Sequence, residues 1–228
     1  FKNKLLICCL FLFEKLLYDC SDSIVALSIG QKNDIVSRYP KFKNKIFVIT
    51  QISNNELFDS INKKNSFESQ YGKMLVHVGG IGPIHNVSFW IDIAVELNKF
   101  DQNYSFIFIG DGPEKKELQN KIKSLGLNNI YFLGSMSKSE VIPWFKSSYA
   151  ALFSTTNHPV QQTCSPNKLF DSFAAGVPIV QTSTGWISKI IRDENCGINL
   201  DLRNIQESAL LLSEFLNNYQ LRNEYSLN

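Results

Sequence analysis

From Lys73 onward, short unbroken apolar runs alternate with longer mixed stretches. The apolar runs are Met74 to Val78, Ser105 to Ile109, Ile130 to Leu133, Tyr149 to Phe153, Pro178 to Gln181 and Gly197 to Leu200. Between and after them, apolar residues recur at helical spacing over Val87 to Leu97, Glu114 to Leu125, Lys138 to Lys146, the stretch around Asp171, Trp186 to Ile191 and Ile205 to Leu216. Strands that are apolar on both faces are covered on both faces, and strands alternating with helices pair in parallel. The pattern predicts a doubly wound, Rossmann-like α/β sheet with ligands at the carboxyl ends of its strands.

Before Lys73 the pattern is thinner. Residues 1–20 read as a helix. Ser23 to Ser28 and Lys45 to Thr50 read as strands flanking a helix at Asn33 to Arg38, and residues 59–72 read as a polar linker. The apolar run Leu5 to Phe13 is too short to span a bilayer and is interrupted by Glu14-Lys15. It reads as a buried helix of a preceding domain, with a helix lying on a membrane surface as the alternative. At 228 residues and 44% hydrophobic, the chain can bury a full core in one main domain. The expected division is 1–58, a remnant of an N-terminal domain; 59–72, a linker; 73–218, the main domain; and 219–228, a tail. Because it starts at Phe1, the chain reads as a C-terminal half.

A net charge of +2 and the lack of a basic, aromatic-laced stripe argue against nucleic acid. The five cysteines, Cys8, Cys9, Cys20, Cys164 and Cys196, are irregularly spaced and read as reduced thiols of a cytoplasmic protein. His77, His85 and His158 stand apart in sequence, outside any ligand-spaced motif, and read as surface or rim residues. No metal site is expected.

The densest chemistry lies in Ser165-Pro166-Asn167-Lys168-Leu169-Phe170-Asp171-Ser172-Phe173-Ala174-Ala175-Gly176-Val177-Pro178-Ile179-Val180. It reads as a loop, a short helix and a buried strand. Ser165 or Asn167 is expected to cap the helix, with Pro166 in its first position, and Gly176 to end it. A helix start suits an anion such as diphosphate. Asp171 lies one turn further on, placed to accept hydrogen bonds from two ribose hydroxyls.

This segment resembles the donor-site signature of the retaining GT-B glycosyltransferases of family 4. It is most similar to bacterial surface-polysaccharide members reading N-K-L-F-D/E-x-(L/M)-A-A-G-x-P-(I/V). The resemblance covers roughly residues 20–218 and implies the C-terminal, nucleotide-sugar-binding domain of a GT-B fold, with Asp171 holding the ribose. A second acid common in the family falls at Thr163, so that part of the motif is missing here. Val78-Gly79-Gly80-Ile81-Gly82-Pro83 resembles the family's glycine-rich donor loop, which places Gly79, Gly80, Ile81 and Gly82 against the diphosphate. Many members carry cations at the positions of Gly80 and His85; here Lys168 is the cationic candidate. Tyr131 to Met136 resembles the loop that meets the base, which assigns Gly134, Ser135 and Met136 to it. Phe108 to Pro113 reads as a tight structural turn, and Thr155 to Pro159 as a polar rim.

The resemblance implies transfer from a nucleotide-sugar, a UDP-sugar foremost, to a glycan or lipid-linked acceptor. It implies no metal and no cofactor, and a place in the cytoplasm at the inner face of the membrane. No catalytic residue is assigned. The alternatives are a non-catalytic nucleotide-sugar-binding subunit and a GT-B sugar-nucleotide epimerase.

Overall fold

The computed structural model describes residues 3–62, 66–100 and 104–228; of Ser66 it describes the backbone alone. Residues 63–65 of the expected linker and residues 1–2 of the expected first helix lie outside these.

The chain opens with α1 (Lys4–Cys20), which buries none of its residues. Two short parallel strands follow, β1 (Ile24–Ala26) and β2 (Ile46–Val48), joined through α2 (Ile29–Arg38) and a 3-10 turn at Pro40–Lys45. They enclose a small core of Ile24, Ala26, Ile35, Phe42 and Ile46. The path then runs through α3 (Asn55–Ser60) and α4 (Ser66–Tyr71). The expected linker is therefore partly helical. Apolar Phe67 explains this, since its ring stacks on Trp144 with centroids 3.8 Å apart and anchors α4 to the main domain.

The main domain consists of β3 (Lys73–Val78), α5 (Ser88–Asn98), β4 (Tyr104–Ile109), α6 (Lys115–Ser124), β5 (Ile130–Gly134), α7 (Lys138–Lys146), β6 (Ala150–Phe153), α8 (Asn167–Ala174), β7 (Ile179–Gln181), α9 (Trp186–Asp193), β8 (Gly197–Asn199), α10 (Ile205–Asn217) and α11 (Tyr219–Leu227). The strands form one parallel sheet of six in the order β5-β4-β3-β6-β7-β8. Apolar clusters cover both faces, one built on Trp90, Phe106 and Phe108, the other on Met74, Val76 and Ile107. The doubly wound α/β expectation is met. Residues 219–228 are not a tail, because α11 packs Leu221 and Tyr225 on the core and sets Arg222 4.3 Å from the ring centre of Tyr149.

Strand order reverses direction at the β3–β6 neighbours, the switch point where such sheets open a crevice. The two strands pair at Leu75 with Ala150 and at Val76 with Ala151, and His77 and Val78 run on past the pairing. The loops leaving β3 and β6 diverge from this point.

Candidate donor site

Gly79 leaves β3 with φ 132°, a conformation that favours glycine. Its N–H donates to the Ile109 carbonyl at 2.9 Å, and the Ile81 N–H donates to the Asp111 carbonyl at 2.9 Å. A Cβ on Gly110 would fall on the Gly79 carbonyl oxygen, and one on Gly112 on that of Ile81. The turn Gly110-Asp111-Gly112 is therefore the structural support of the glycine loop. Ile81 turns its side chain into the core and Gly82 is buried with an ordinary φ. Gly79 and Gly80 face an open cleft of about 250 Å³ together with Val78, Asp111, Ser135 and Met136. Gly134, at φ 78°, accepts from the Gly110 N–H at 2.8 Å where the loop after β5 turns beside the cleft.

Across the cleft, α8 begins differently from the expectation. Pro166 is the cap residue, with extended backbone, and no side chain caps the helix. Asn167 is the first helical residue, and Ser165 Oγ is enclosed without a hydrogen-bond partner among the described residues. The reason is local: Pro166 is itself extended, so the helix starts at Asn167, Ser165 lies one residue too early to cap it, and proline has no side-chain oxygen to do so. The first turn is left open to an external acceptor. The other end behaves as read. Gly176 (φ 63°) donates to Phe173, and Val177 to Ser172, closing the helix. The loop before α8 is tethered by Trp186, whose indole N–H donates to the Cys164 carbonyl at 2.8 Å.

Lys168 dominates the electrostatics. Its Nζ is enclosed, has no hydrogen-bond partner among the described residues, and stands 2.8 Å from where a Cβ on Gly79 would be. The ring centre of Phe153 lies 5.6 Å away. Burial lowers its pKa to about 8, weakly opposed by Cys164. An enclosed ammonium with no counter-charge is unfavourable until an anion arrives.

Two histidines complete the wall; His77 corrects its reading as a surface or rim residue, whereas His85 is half-buried at the rim. His77 is fully buried on β3, and its ring centre is 6.4 Å from that of His85. Burial first, then Lys168 and His85, hold His77 well below the ordinary histidine range, against the backbone of Gly80 and Leu152. His85 Nε2 stands 2.9 Å from a Cβ position on Gly80, and burial followed by Lys168 lowers its pKa too. One histidine inside the apolar run Met74 to Val78 was the available signal, since an apolar strand rarely keeps an imidazole without a use for it.

Asp171 is already engaged. Its Oδ1 accepts from Ser53 Oγ at 2.5 Å and pairs with Lys138 Nζ at 2.8 Å. Neither partner was foreseen, because Ser53 and Lys138 are far from Asp171 in sequence. Thr163, in the missing-acid position, lies in a 3-10 turn (Pro159–Thr163), and its carbonyl accepts from Ser28 Oγ at 2.5 Å. The structure thus gathers Gly79, Gly80, Ser135 and Met136 around one cleft and sets Lys168 against Gly79. Ile81 and Gly82 serve its framework. Among the described residues there is no group of three or more His, Cys, Asp or Glu that could hold a metal ion.

A doubly wound sheet with a glycine loop, an open helix start and an enclosed cation at its switch point is a Rossmann-like α/β domain whose geometry suits a phosphate-bearing ligand. Residues 59–228 match the family described as "Glycosyl transferases group 1", and the chain belongs to it. It is 22% identical over 202 residues to the uncharacterized glycosyltransferase MJ1178 of Methanocaldococcus jannaschii, covering 89% of this chain and 52% of that protein. It is 28% identical over 131 residues to the amylovoran biosynthesis glycosyltransferase AmsD of Erwinia amylovora, covering 58% and 36%. The fold matches Anabaena HepE, solved in complex with UDP and glucose, with a TM-score of 0.77 and 17% identity over 94% of this chain and 58% of HepE. The fold is that of the GT-B glycosyltransferases. The chain spans about half the length, or less, of these curated relatives.

Proposed function

We propose that this chain is the donor-binding part of a retaining, metal-independent glycosyltransferase that passes a sugar from a UDP-sugar to a polysaccharide or lipid-linked acceptor. The observation that carries this reading is the enclosed, unpartnered Lys168 ammonium set against Gly79 beside an uncapped helix start. A diphosphate supplies the counter-charge that Lys168 lacks, and the open first turn of α8 adds N–H donors and a favourable dipole. The same groups stabilise the leaving diphosphate as the glycosidic bond to it breaks. In this reading Asp171 holds the ribose and the Gly134 to Met136 loop meets the base.

HepE with bound UDP and AmsD in amylovoran synthesis support the donor and the polysaccharide context. The apolar residues that α1 leaves exposed, Leu5, Phe13 and Leu16 among them, support a lipid-linked acceptor and a place at the cytoplasmic membrane face. Among the described residues no helix is long and apolar enough to cross a membrane. Isothermal titration of UDP and UDP-glucose in excess chelator tests the proposal. Binding is expected to persist in chelator and to fall at least tenfold in Lys168→Gln, about 1.4 kcal/mol or more. Binding that needs added magnesium, or that Lys168→Gln leaves intact, would sink it.

A further inference from the structure

We infer that the chain carries a second anion site, for a phosphate group, at the amino ends of β6 and β7, with Arg222 as its principal ligand. It lies at the opposite end of the parallel sheet from the donor cleft and is independent of the donor-site reading.

The charge comes first. Arg222 of α11 sets its guanidinium carbon 4.3 Å from the ring centre of Tyr149, the residue before β6, and 5.9 Å from that of Tyr219. Lys73 Nζ, at the start of β3, is 5.9 Å from the same Tyr149 ring centre. Lys146, the last residue of α7, lines one hollow together with Tyr149 and Arg222. Three cations thus meet at one end of the sheet. None of them forms an ion pair among the described residues. The tyrosine rings attract a cation through their faces but supply no counter-charge.

The hydrogen-bonding groups come next. The hollow measures about 190 Å³, and none of the residues lining it is acidic. Arg222 Nε is enclosed and has no hydrogen-bond partner among the described residues. A guanidinium stacked on a ring keeps the N–H groups of its edge available in its own plane, in the fork that fits two oxygens of one anion. The carbonyls that end α7 and α8 are turned to other donors. Those of Phe145, Ser172 and Phe173 accept from the N–H groups of Ser148, Val177 and Gly176 at 2.9, 3.1 and 2.9 Å. Lys146 Nζ donates to the Phe58 carbonyl at 2.5 Å, which uses only one of its three N–H bonds. The Asn223 amide also lines the hollow, and Tyr219, on its wall, is the first residue of α11, so the positive end of that helix dipole lies here.

The surplus of charge decides the class of ligand. One guanidinium alone would suit a carboxylate. Two cations on the wall and a third behind Tyr149, all unpaired, suit a group of higher charge. A phosphate monoester carries about −1.5 to −2 at pH 7 and offers three oxygens to the fork and the ammonium. Two sources share this chemistry. One is inorganic phosphate or a small phosphate ester. The other is the phosphate headgroup of an anionic lipid, for which α11 also exposes Tyr219 and Leu227.

The test reads the guanidinium directly. The sequence holds four arginines, Arg38, Arg192, Arg203 and Arg222, so proton–nitrogen correlation NMR of the full chain shows four side-chain Nε–H signals, and Arg222→Lys assigns the last. Wild type is titrated with inorganic phosphate at pH 6.5, and in parallel with sodium chloride of equal ionic strength. The Arg222 signal is expected to move saturably with millimolar phosphate and to ignore chloride. The movement should persist in Lys168→Gln, which removes the cation of the donor cleft, and its midpoint should rise several-fold in Lys146→Gln. Flotation with vesicles of phosphatidylcholine, with and without phosphatidic acid, separates the sources. Binding that needs phosphatidic acid and is lost in Arg222→Gln assigns the site to a headgroup, and a phosphate response without such binding assigns it to a free phosphate. An Arg222 signal that phosphate leaves in place, with no Arg222-dependent vesicle binding, overturns the inference. So does a response that disappears in Lys168→Gln, because it then comes from the donor cleft.

Discussion

Lys168 Nζ lies 2.8 Å from the point where a Cβ on Gly79 would stand, and it has no hydrogen-bond partner among the described residues. The protein thus holds an enclosed positive charge against the space that a side chain at residue 79 would fill. Lys168→Met keeps the stem and removes the charge. It should stabilise the ligand-free protein by about 1–3 kcal/mol at pH 7 and weaken UDP binding at least tenfold, about 1.4 kcal/mol. Thermal melting beside calorimetry checks both halves. A lower melting temperature with intact binding would show that Lys168 is a packing residue.

The same charge has a pH signature. The Lys168 pKa is lowered from the usual 10.5 to about 8, so between these values the unfolded chain binds more protons at this position than the folded one. The contribution of Lys168 to stability therefore rises with pH across that window, and its full cost is present below about 8. Urea unfolding at pH 7, 8.5 and 10 should show the advantage of Lys168→Met shrinking as pH rises. A difference that stays constant would mean that the ammonium is not buried in solution.

The loop glycines should not be equivalent. Gly79→Ala places a Cβ on Lys168 at φ 132°, and should cost both stability and UDP affinity. A Cβ on Gly82 meets Pro113 at 3.5 Å, an ordinary contact, and the backbone there is unstrained. Gly82→Ala should change stability by less than about 1 kcal/mol and leave affinity alone. Equal effects of the two substitutions on affinity would contradict this division between site and framework.

Asp171 can be tested against its present partners. Asp171→Ala should weaken UDP binding by about 1–3 kcal/mol through lost charged hydrogen bonds. Ser53→Ala removes a competitor that now donates to the same carboxylate at 2.5 Å, and should strengthen binding by up to about 1 kcal/mol. Calorimetry of the two single variants and the double variant decides it. Unchanged affinity in Asp171→Ala would exclude the ribose role.

The elements of the main domain were legible because each strand is an uninterrupted apolar run between amphipathic stretches, as Met74 to Val78 and Ser105 to Ile109 show. The end of α8 was legible for an equally local reason, since Gly176 must follow the helix for the chain to turn into β7. The start of α8 was misread within the same motif. Ser165 looked like a cap, but Pro166 is itself extended, so the helix starts one residue later and Pro166 becomes the cap residue. The helix of residues 219–227 was passed over because its own pattern is weakly amphipathic, and packing of Leu221 and Tyr225 on the core fixes it.

What the chain determined by itself is therefore the order of strands and helices, the family motif and the cleft's glycines, all properties of neighbours in sequence. The tertiary structure alone decided which charges meet. His77, His85 and Lys168 come from a strand, a loop and a helix across the switch point, and Asp171 of that same helix meets Ser53 and Lys138 from two other separated segments. Spacing along the chain carries no information about such contacts. The protonation of each group depends on burial and on opposing charges brought in by remote segments, and these exist only once the sheet has closed around them.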